Sequence, residues 1–248
     1  MMSESAPVAL VTGAAVRVGA AIARHLHAQG YDVVLHYRRS REPAEALATE
    51  FNRHRSNSAL LVAGDLAAAS GPAAIAEAFF ERYSRCDLLV NNASSFFSTT
   101  VEEVDAAIWD ELIGSNLRGP FFLVQALLPA LRGAQGSIVN LVDIHAERPL
   151  LGYSIYSIAK AGLVMLTRSL ARELAPEVRV NAVAPGAILW PEDPDDVWGR
   201  ERDAILKRVP LGRTGTPEDI AGAVAYLAAA PYVTGQILAV DGGRSVVV

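Results

Sequence analysis

Short apolar segments alternate along the chain with longer segments in which apolar and polar residues recur at helical spacing. The short segments are rich in valine, isoleucine and leucine and show little polar alternation, which is typical of strands buried on both faces. We predict strands at Val8–Thr12, Tyr31–His36, Ala59–Ala63, Leu88–Asn91, Ser137–Val142, Arg179–Val183 and Gln236–Val240.

The longer segments predict helices between these strands. Gly30 follows the first helix, at the position where a left-handed residue commonly ends a helix. Thr216 and Pro217 have the residue types of an N-cap and a first helical position. The alternation predicts an α/β fold: a single Rossmann-like domain over residues 1–248, whose doubly wound parallel sheet of about seven strands has helices on both faces. The predicted helices are Val18–Gln29, Arg41–Arg53, Pro72–Tyr83, Asp105–Asn116, Phe121–Leu131, Tyr156–Leu174 and Pro217–Ala229.

Composition narrows the possible functions. Of the 248 residues, 51% are hydrophobic, which is enough for a large core. The net charge is -5 and no basic run of the nucleic-acid-binding type is present, so we expect no nucleic-acid partner. Cys86 is the single cysteine and cannot form an internal disulfide, so we expect a reducing compartment, the cytoplasm. We find no signal-peptide pattern and no apolar run of roughly 20 residues, so no membrane partner is expected. No metal site is predicted.

The turn Thr12–Gly19 lies between the first predicted strand and the first predicted helix. Glycines there allow the backbone to approach a phosphate closely, and the N-terminus of the helix favours its negative charge. A tight turn that binds no ligand is the alternative interpretation.

The second predicted strand ends in a basic segment that contains Arg38, Arg39 and Ser40. In a dinucleotide-binding fold, an acidic residue at this point usually binds the ribose of NAD, whereas arginine accommodates the 2′-phosphate of NADP. No acidic residue is present, so the segment predicts NADPH as cofactor. The alternative is a solvated run of charges that opens a helix.

Tyr156 and Lys160 are one helical turn apart and share a helix face. A nearby ammonium group favours the phenolate and is expected to lower the pKa of Tyr156 from its ordinary value of about 10. The pair is therefore a candidate general acid and base. The alternative is a half-buried tyrosine beside a surface lysine. Asp143 lies at the start of the loop that precedes Tyr156 and Lys160.

These residues resemble the motifs of the short-chain dehydrogenases/reductases over essentially the whole chain. The matching positions are Thr12–Gly19, Asp65, Asn91-Asn92-Ala93, Asn116, Tyr156 with Lys160, and Asn181 to Pro185-Gly186. The resemblance implies a homotetramer with the helix Tyr156–Leu174 in an interface, and Asn116 holding a water in a relay to Lys160. It also implies that NADPH is bound by Gly13, Arg17, Val18, Gly19, Tyr37, Arg38, Arg39, Ser40, Asp65, Leu66, Asn92, Ala93, Ser94, Tyr156, Lys160, Pro185 and Gly186.

Two departures from the family pattern are similar to the pteridine reductases. Arg17 replaces a glycine of the turn, and Asp143 replaces the serine upstream of the tyrosine. Further shared stretches are Leu35-His36-Tyr37, Asn91 to Phe96, Val142-Asp143 and Pro149 to Tyr153. This resemblance implies the catalytic residues Asp143, Tyr156, Lys160 and Asn116. It implies a substrate site of Arg17, Ser94, Phe96, Asp143, Tyr156 and Trp198, under a lid at about residues 188–209 that also contains Trp190.

The expected activity is the NADPH-dependent reduction of a pterin, dihydropterin or dihydrofolate, in which Phe96 stacks on the pterin. Two alternatives remain open. A carbonyl reductase, such as a 3-oxoacyl-acyl-carrier-protein reductase, would use the same scaffold, although a serine in place of Asp143 would suit it better. An NADPH-binding regulator without turnover is the other alternative, and the presence of Tyr156, Lys160 and Asn116 argues against it.

Overall fold

The computed structural model describes residues 6–189 and 202–247. Within them, seven parallel strands form one sheet in the order β3-β2-β1-β4-β5-β6-β7, which confirms the predicted α/β class. The chain reverses its winding direction between β1 and β4, and in such sheets ligands bind beside the carboxyl ends of the strands at that point. The strands are β1 (Val8–Val11), β2 (Asp32–Tyr37), β3 (Ala59–Ala63), β4 (Leu88–Asn91), β5 (Ser137–Leu141), β6 (Arg179–Pro185) and β7 (Ile237–Val240).

The helices cover both faces of the sheet. One hydrophobic cluster joins α1, α2 and α8 to the sheet, and a second joins α3, α5 and α6 to its other face. Because the central strands β1, β4 and β5 are covered on both sides, their apolar runs are continuous rather than alternating. The helices are α1 (Arg17–Ala28), α2 (Arg41–His54), α3 (Gly71–Phe80), α4 (Ala106–Ile113), α5 (Gly119–Gly133), α6 (Ser154–Glu173), α7 (Arg202–Leu206) and α8 (Pro217–Ala229).

The predicted break between the fourth and fifth helices is absent. A π-helical turn, Gly114–Arg118, joins α4 directly to α5. Inside this turn the side chains of Ser115 and Asn116 bond to the carbonyl groups of Glu111 and Leu112 one turn earlier. These bonds satisfy carbonyls that would otherwise pair along an α-helix, which favours the wider turn.

Two helices differ from the prediction. The third helix ends at Phe80, earlier than the predicted Tyr83. The short helix α7 lies inside the predicted lid, where no helix was predicted. Trp190 and Trp198 lie outside the described residues. No helix among the described residues combines the length and apolar character needed to cross a membrane.

Candidate active site

A groove of about 420 Å³ opens at the carboxyl ends of β1, β2 and β4. It brings together thirteen of the seventeen residues predicted to bind the cofactor, which lie far apart in the sequence. They are Gly13, Arg17, Val18, Gly19, Tyr37, Arg38, Arg39, Ser40, Asp65, Leu66, Asn92, Ala93 and Ser94.

Glycine is required at two positions of the turn in this groove. Gly13 has a φ of +62°, and a Cβ atom on Gly19 would lie 2.1 Å from the carbonyl oxygen of Gly13. Arg17, which replaces a glycine of the family pattern, also has a left-handed φ of 53°. A side chain in this conformation is strained by about 1–2 kcal/mol, so the fold retains a glycine-like backbone there. This bare backbone beside the start of α1 fits a dinucleotide phosphate.

His36 fixes the position of the glycine turn through contacts of its two ring nitrogens. Its Nδ1 atom accepts a 3.2 Å hydrogen bond from the Gly13 backbone, and its Nε2 atom lies 3.2 Å from the Gly64 carbonyl oxygen. The first contact needs an unprotonated Nδ1 and the second a protonated Nε2, so the ring is neutral. Burial lowers its pKa to about 4, which agrees with that state.

The two arginines of the basic segment after β2 differ in their partners. The Arg38 guanidinium forms ion pairs with Glu111 at 2.6 Å and Asp65 at 2.9 Å. Arg39, by contrast, forms no ion pair or hydrogen bond with another side chain in the described part of the chain and lines the groove beside Ser40. Sequence reasoning treated both arginines alike, but Arg38 is already held by acidic residues of the protein, which leaves Arg39 as the cation better placed for a phosphate.

Tyr156 and Asp143 form the polar centre of a neighbouring cavity. The Tyr156 hydroxyl donates a 2.7 Å hydrogen bond to Oδ2 of Asp143. Oδ1 of the same carboxylate accepts a 2.8 Å bond from the His145 backbone. Burial, followed by the charge and hydrogen bond of Asp143, raises the pKa of Tyr156 well above its ordinary value. The predicted lowering of this pKa by Lys160 is therefore wrong, and the phenol is held protonated.

Lys160 lies buried behind the tyrosine. Its Nζ donates a 2.8 Å hydrogen bond to the Leu141 carbonyl oxygen and lies 5.6 Å from the centre of the Tyr156 ring. Burial lowers its pKa to about 8, which still leaves the ammonium form predominant at neutral pH. The alternative interpretation of Lys160 as a surface residue is wrong. The side chain lines neither cavity and supports the active site from within the core.

Asn116 is buried in the π turn and binds the loop after β4. Its Oδ1 accepts a 2.6 Å hydrogen bond from the Ser94 hydroxyl, and its Nδ2 donates a 2.9 Å bond to the Ser95 carbonyl oxygen. Because Ser94 lines both cavities, the Asn116 side chain shapes their junction. Its predicted relay to Lys160 stays a prediction.

The neighbouring cavity has a volume of about 780 Å³ and shares Arg17, Val18 and Ser94 with the groove as lining residues. Phe96 is 46% exposed on its wall. The ring stacks on Tyr153, with centroids 4.6 Å apart, and meets Tyr156 edge to face at 4.8 Å. The cavity also collects Asp143, Pro185, Gly186, Ile188, Ile205 and Arg244.

Ile205, which lines this cavity, falls within the predicted lid, whereas Arg244 was not predicted from the sequence. Arg244 follows β7, so its position at a carboxyl end of the parallel sheet was a signal that could have found it. Among the described residues, no group of three or more histidine, cysteine, aspartate or glutamate side chains could hold a metal ion.

Comparison with known proteins agrees with this architecture. A family model described as enoyl-(acyl carrier protein) reductase matches residues 13–245, and the chain belongs to the short-chain dehydrogenase/reductase family. It is 40% identical to pteridine reductase 1 of Leishmania tarentolae over 98% of both chains. It is 38% identical to the granaticin polyketide synthase putative ketoacyl reductase 2 of Streptomyces violaceoruber over 97% of both. The 3-oxoacyl-(acyl-carrier-protein) reductase FabG of Staphylococcus aureus is 37% identical over 95% of this chain and 96% of its own. The protein is therefore an oxidoreductase of this family.

Proposed function

We propose that the protein reduces pterins or dihydropterins, folates included, with NADPH as the hydride source. The hydrogen bond between Tyr156 and Asp143 at the cavity wall carries this proposal. A serine hydroxyl at the position of Asp143 would serve a ketone substrate, because it can hold a carbonyl oxygen. A carboxylate at that position can also move a proton.

The chemistry follows from the bond that is reduced. Adding hydrogen to a C=N bond requires a hydride on carbon and a proton on nitrogen, and NADPH supplies the hydride when it is bound. Tyr156 supplies the proton, since its raised pKa keeps the phenol protonated at neutral pH. Asp143 provides the route by which the phenolate is reprotonated. Lys160, whose Nζ is 5.6 Å from the centre of the ring, stabilises the negative charge on Tyr156 between the loss of its proton and its reprotonation.

The groove supports NADPH as the cofactor. Gly13 and Gly19 leave room for a pyrophosphate, while Arg39 and Ser40 line the wall where a 2′-phosphate would be recognised. Tyr156, Pro185 and Gly186 line the adjoining cavity, at the side where the nicotinamide would meet a substrate.

Ketoacyl reduction is the second candidate, because two of the relatives described above carry that name at 38% and 37% identity. The deciding measurement is NADPH oxidation with a panel of quinonoid and dihydro pterins beside acyl ketones. We expect turnover with pterins. Brisk turnover of acyl ketones alone would favour the second candidate, and oxidation with neither class would favour an NADPH-binding regulator.

The proposal also covers the oligomeric state, the location and the partner of the enzyme. Ile158 and Met165 expose apolar surface on α6, which suits the packing of this helix against another copy in a homotetramer. We propose a cytoplasmic location, since Cys86 is a buried free thiol. The partner that we propose is the small-molecule substrate, which binds in the cavity.

A further inference from the structure

The cationic side chain of Arg244 lies on the wall of the substrate cavity. The Asp241 carboxylate holds the turn that carries it, accepting hydrogen bonds from the Gly243 backbone at 2.9 Å and the Ser245 backbone at 2.6 Å. The turn follows β7 directly and is joined to the end of β6 by the bond from Gly186 to the Val240 carbonyl oxygen at 3.0 Å. Arg244 is therefore presented by a fixed segment of backbone.

The guanidinium of Arg244 forms no direct ion pair in the part of the chain that the structure describes, although Asp143 and Asp241 are near enough to attract it. The residue is half-buried, yet its side chain forms no hydrogen bond or ion pair there. Asp143 shares the cavity, but its two oxygens bond to Tyr156 and His145 and not to the guanidinium. Burial lowers the pKa of Arg244 by more than the attraction of Asp143 and Asp241 raises it, which is the direction expected of a cation whose removal from water is only partly compensated.

The order of the strands separates this cation from Phe96, the ring on which the pterin would stack. Phe96 follows β4, whereas Arg244 follows β7, three strands further along the sheet. With about 4.8 Å between neighbouring strands, the ends of β4 and β7 are roughly 14 Å apart. A ligand whose ring stacks near Phe96 needs an extended side chain to reach Arg244, and the cavity of about 780 Å³ has room for one.

We propose that Arg244 binds a carboxylate on the side chain of the substrate, so that the cavity favours pterins with an acidic tail over unconjugated pterins. This inference rests on the proposed pterin reduction. A guanidinium presents a planar pair of donors that matches a carboxylate, and the bound anion would supply the partner that the half-buried cation lacks.

The test compares two dihydropterins of different charge, dihydrofolate and the uncharged dihydrobiopterin, in wild type and Arg244→Gln. We expect the KM for dihydrofolate to rise roughly tenfold or more, with kcat nearly unchanged and the KM for dihydrobiopterin within about twofold. Arg244→Lys should recover part of the loss because it keeps the charge. Arg53→Gln, an exposed arginine on α2 that lines neither cavity, is the control for the change in net charge.

A second readout does not depend on turnover. Calorimetric titration of 4-aminobenzoyl-glutamate, which carries the acidic tail without the pterin, should show binding to the NADPH-loaded wild type. Binding to Arg244→Gln should be roughly tenfold weaker. The uncharged 4-aminobenzamide should not distinguish the two proteins.

The outcomes separate the two proposals. If wild type reduces neither dihydropterin, the proposed function fails, and the titration still decides whether Arg244 binds the acidic tail. If both dihydropterins are reduced and Arg244→Gln changes their KM values equally, the carboxylate subsite is wrong and the pterin activity stands. Equal binding of 4-aminobenzoyl-glutamate by both proteins, or no binding at all, also overturns the subsite.

Discussion

The hydroxyl group of Tyr156 donates a 2.7 Å hydrogen bond to Asp143, and this contact places a phenol and a carboxylate in one proton-transfer pair. The two residues are thirteen positions apart, on either side of the loop that connects β5 to α6. Their pairing links the raised pKa of the phenol to a second group that can exchange protons. The predictions about catalysis start from this pair.

Tyr156→Phe should bind NADPH and fold normally but lose turnover by roughly a hundredfold or more, the scale of a general acid. The substitution removes only the hydroxyl and keeps the edge-to-face contact with Phe96. Steady-state kinetics and a cofactor titration measure the two effects separately. Turnover close to wild type would remove Tyr156 from the mechanism.

Asp143→Ser should reduce pterin turnover by roughly a hundredfold with NADPH affinity unchanged. Any slow ketone reduction should survive, because a serine hydroxyl can hold a carbonyl oxygen. Asp143→Asn is the matched variant, since its amide can accept the bond from one partner and donate to the Tyr156 oxygen but cannot transfer a proton. Both variants should lower the pKa of Tyr156, since the carboxylate raises it in wild type, and spectroscopic titration of the phenol checks the direction. Undiminished pterin turnover in Asp143→Asn would contradict the proton route.

Phe96→Ala should raise the KM for pterins by about fivefold to tenfold, from a lost stacking contribution of about 1–1.5 kcal/mol. The expected change is in KM rather than kcat, because stacking binds substrate and transition state alike. Phe80→Ala is a suitable control, since this ring is also partly exposed but lies on α3. An unchanged KM for pterins would place the substrate away from Phe96.

Arg39→Ala should weaken NADPH binding at least about tenfold and leave NADH binding nearly unchanged, from the loss of a charge-assisted contact of about 1.5–3 kcal/mol. Titrations with both cofactors measure the ratio. Arg41→Ala is the control, since that arginine pairs with Glu45 on the surface and does not line the groove. Equal affinities of wild type for NADPH and NADH would argue against a 2′-phosphate site.

Acid should destabilise the fold through His36. Its pKa is about 4 in the folded protein against an ordinary value of 6.5, so the unfolded chain binds the additional proton between these values. The free energy of unfolding should therefore fall as the pH falls from about 6.5 to about 4, by on the order of 3 kcal/mol from this group.

Urea unfolding across this pH range measures the effect of His36. His36→Gln, whose amide can both donate and accept, should show a shallower pH dependence than wild type. Parallel curves for the two proteins would show that His36 does not cause the acid sensitivity.

The amino-acid sequence by itself determined the strand and helix order, the position of the glycine turn and the spacing of Tyr156 and Lys160. These features depend on local periodicity, and a buried parallel strand or an amphipathic helix is encoded within a few consecutive residues. The parallel sheet and the covering of both its faces follow from the alternation of strands and helices along the chain.

Only the tertiary structure decided the electrostatics of the site. Arg38 pairs with Glu111, which is 73 positions away, and so differs from its neighbour Arg39. The pKa of Tyr156 is set by burial and by Asp143 rather than by Lys160, although helical spacing favoured the lysine. Arg244 enters the cavity because the sheet brings the end of β7 beside the end of β6. Burial and pairing between distant segments depend on how the whole chain packs, and no short stretch of sequence contains that information.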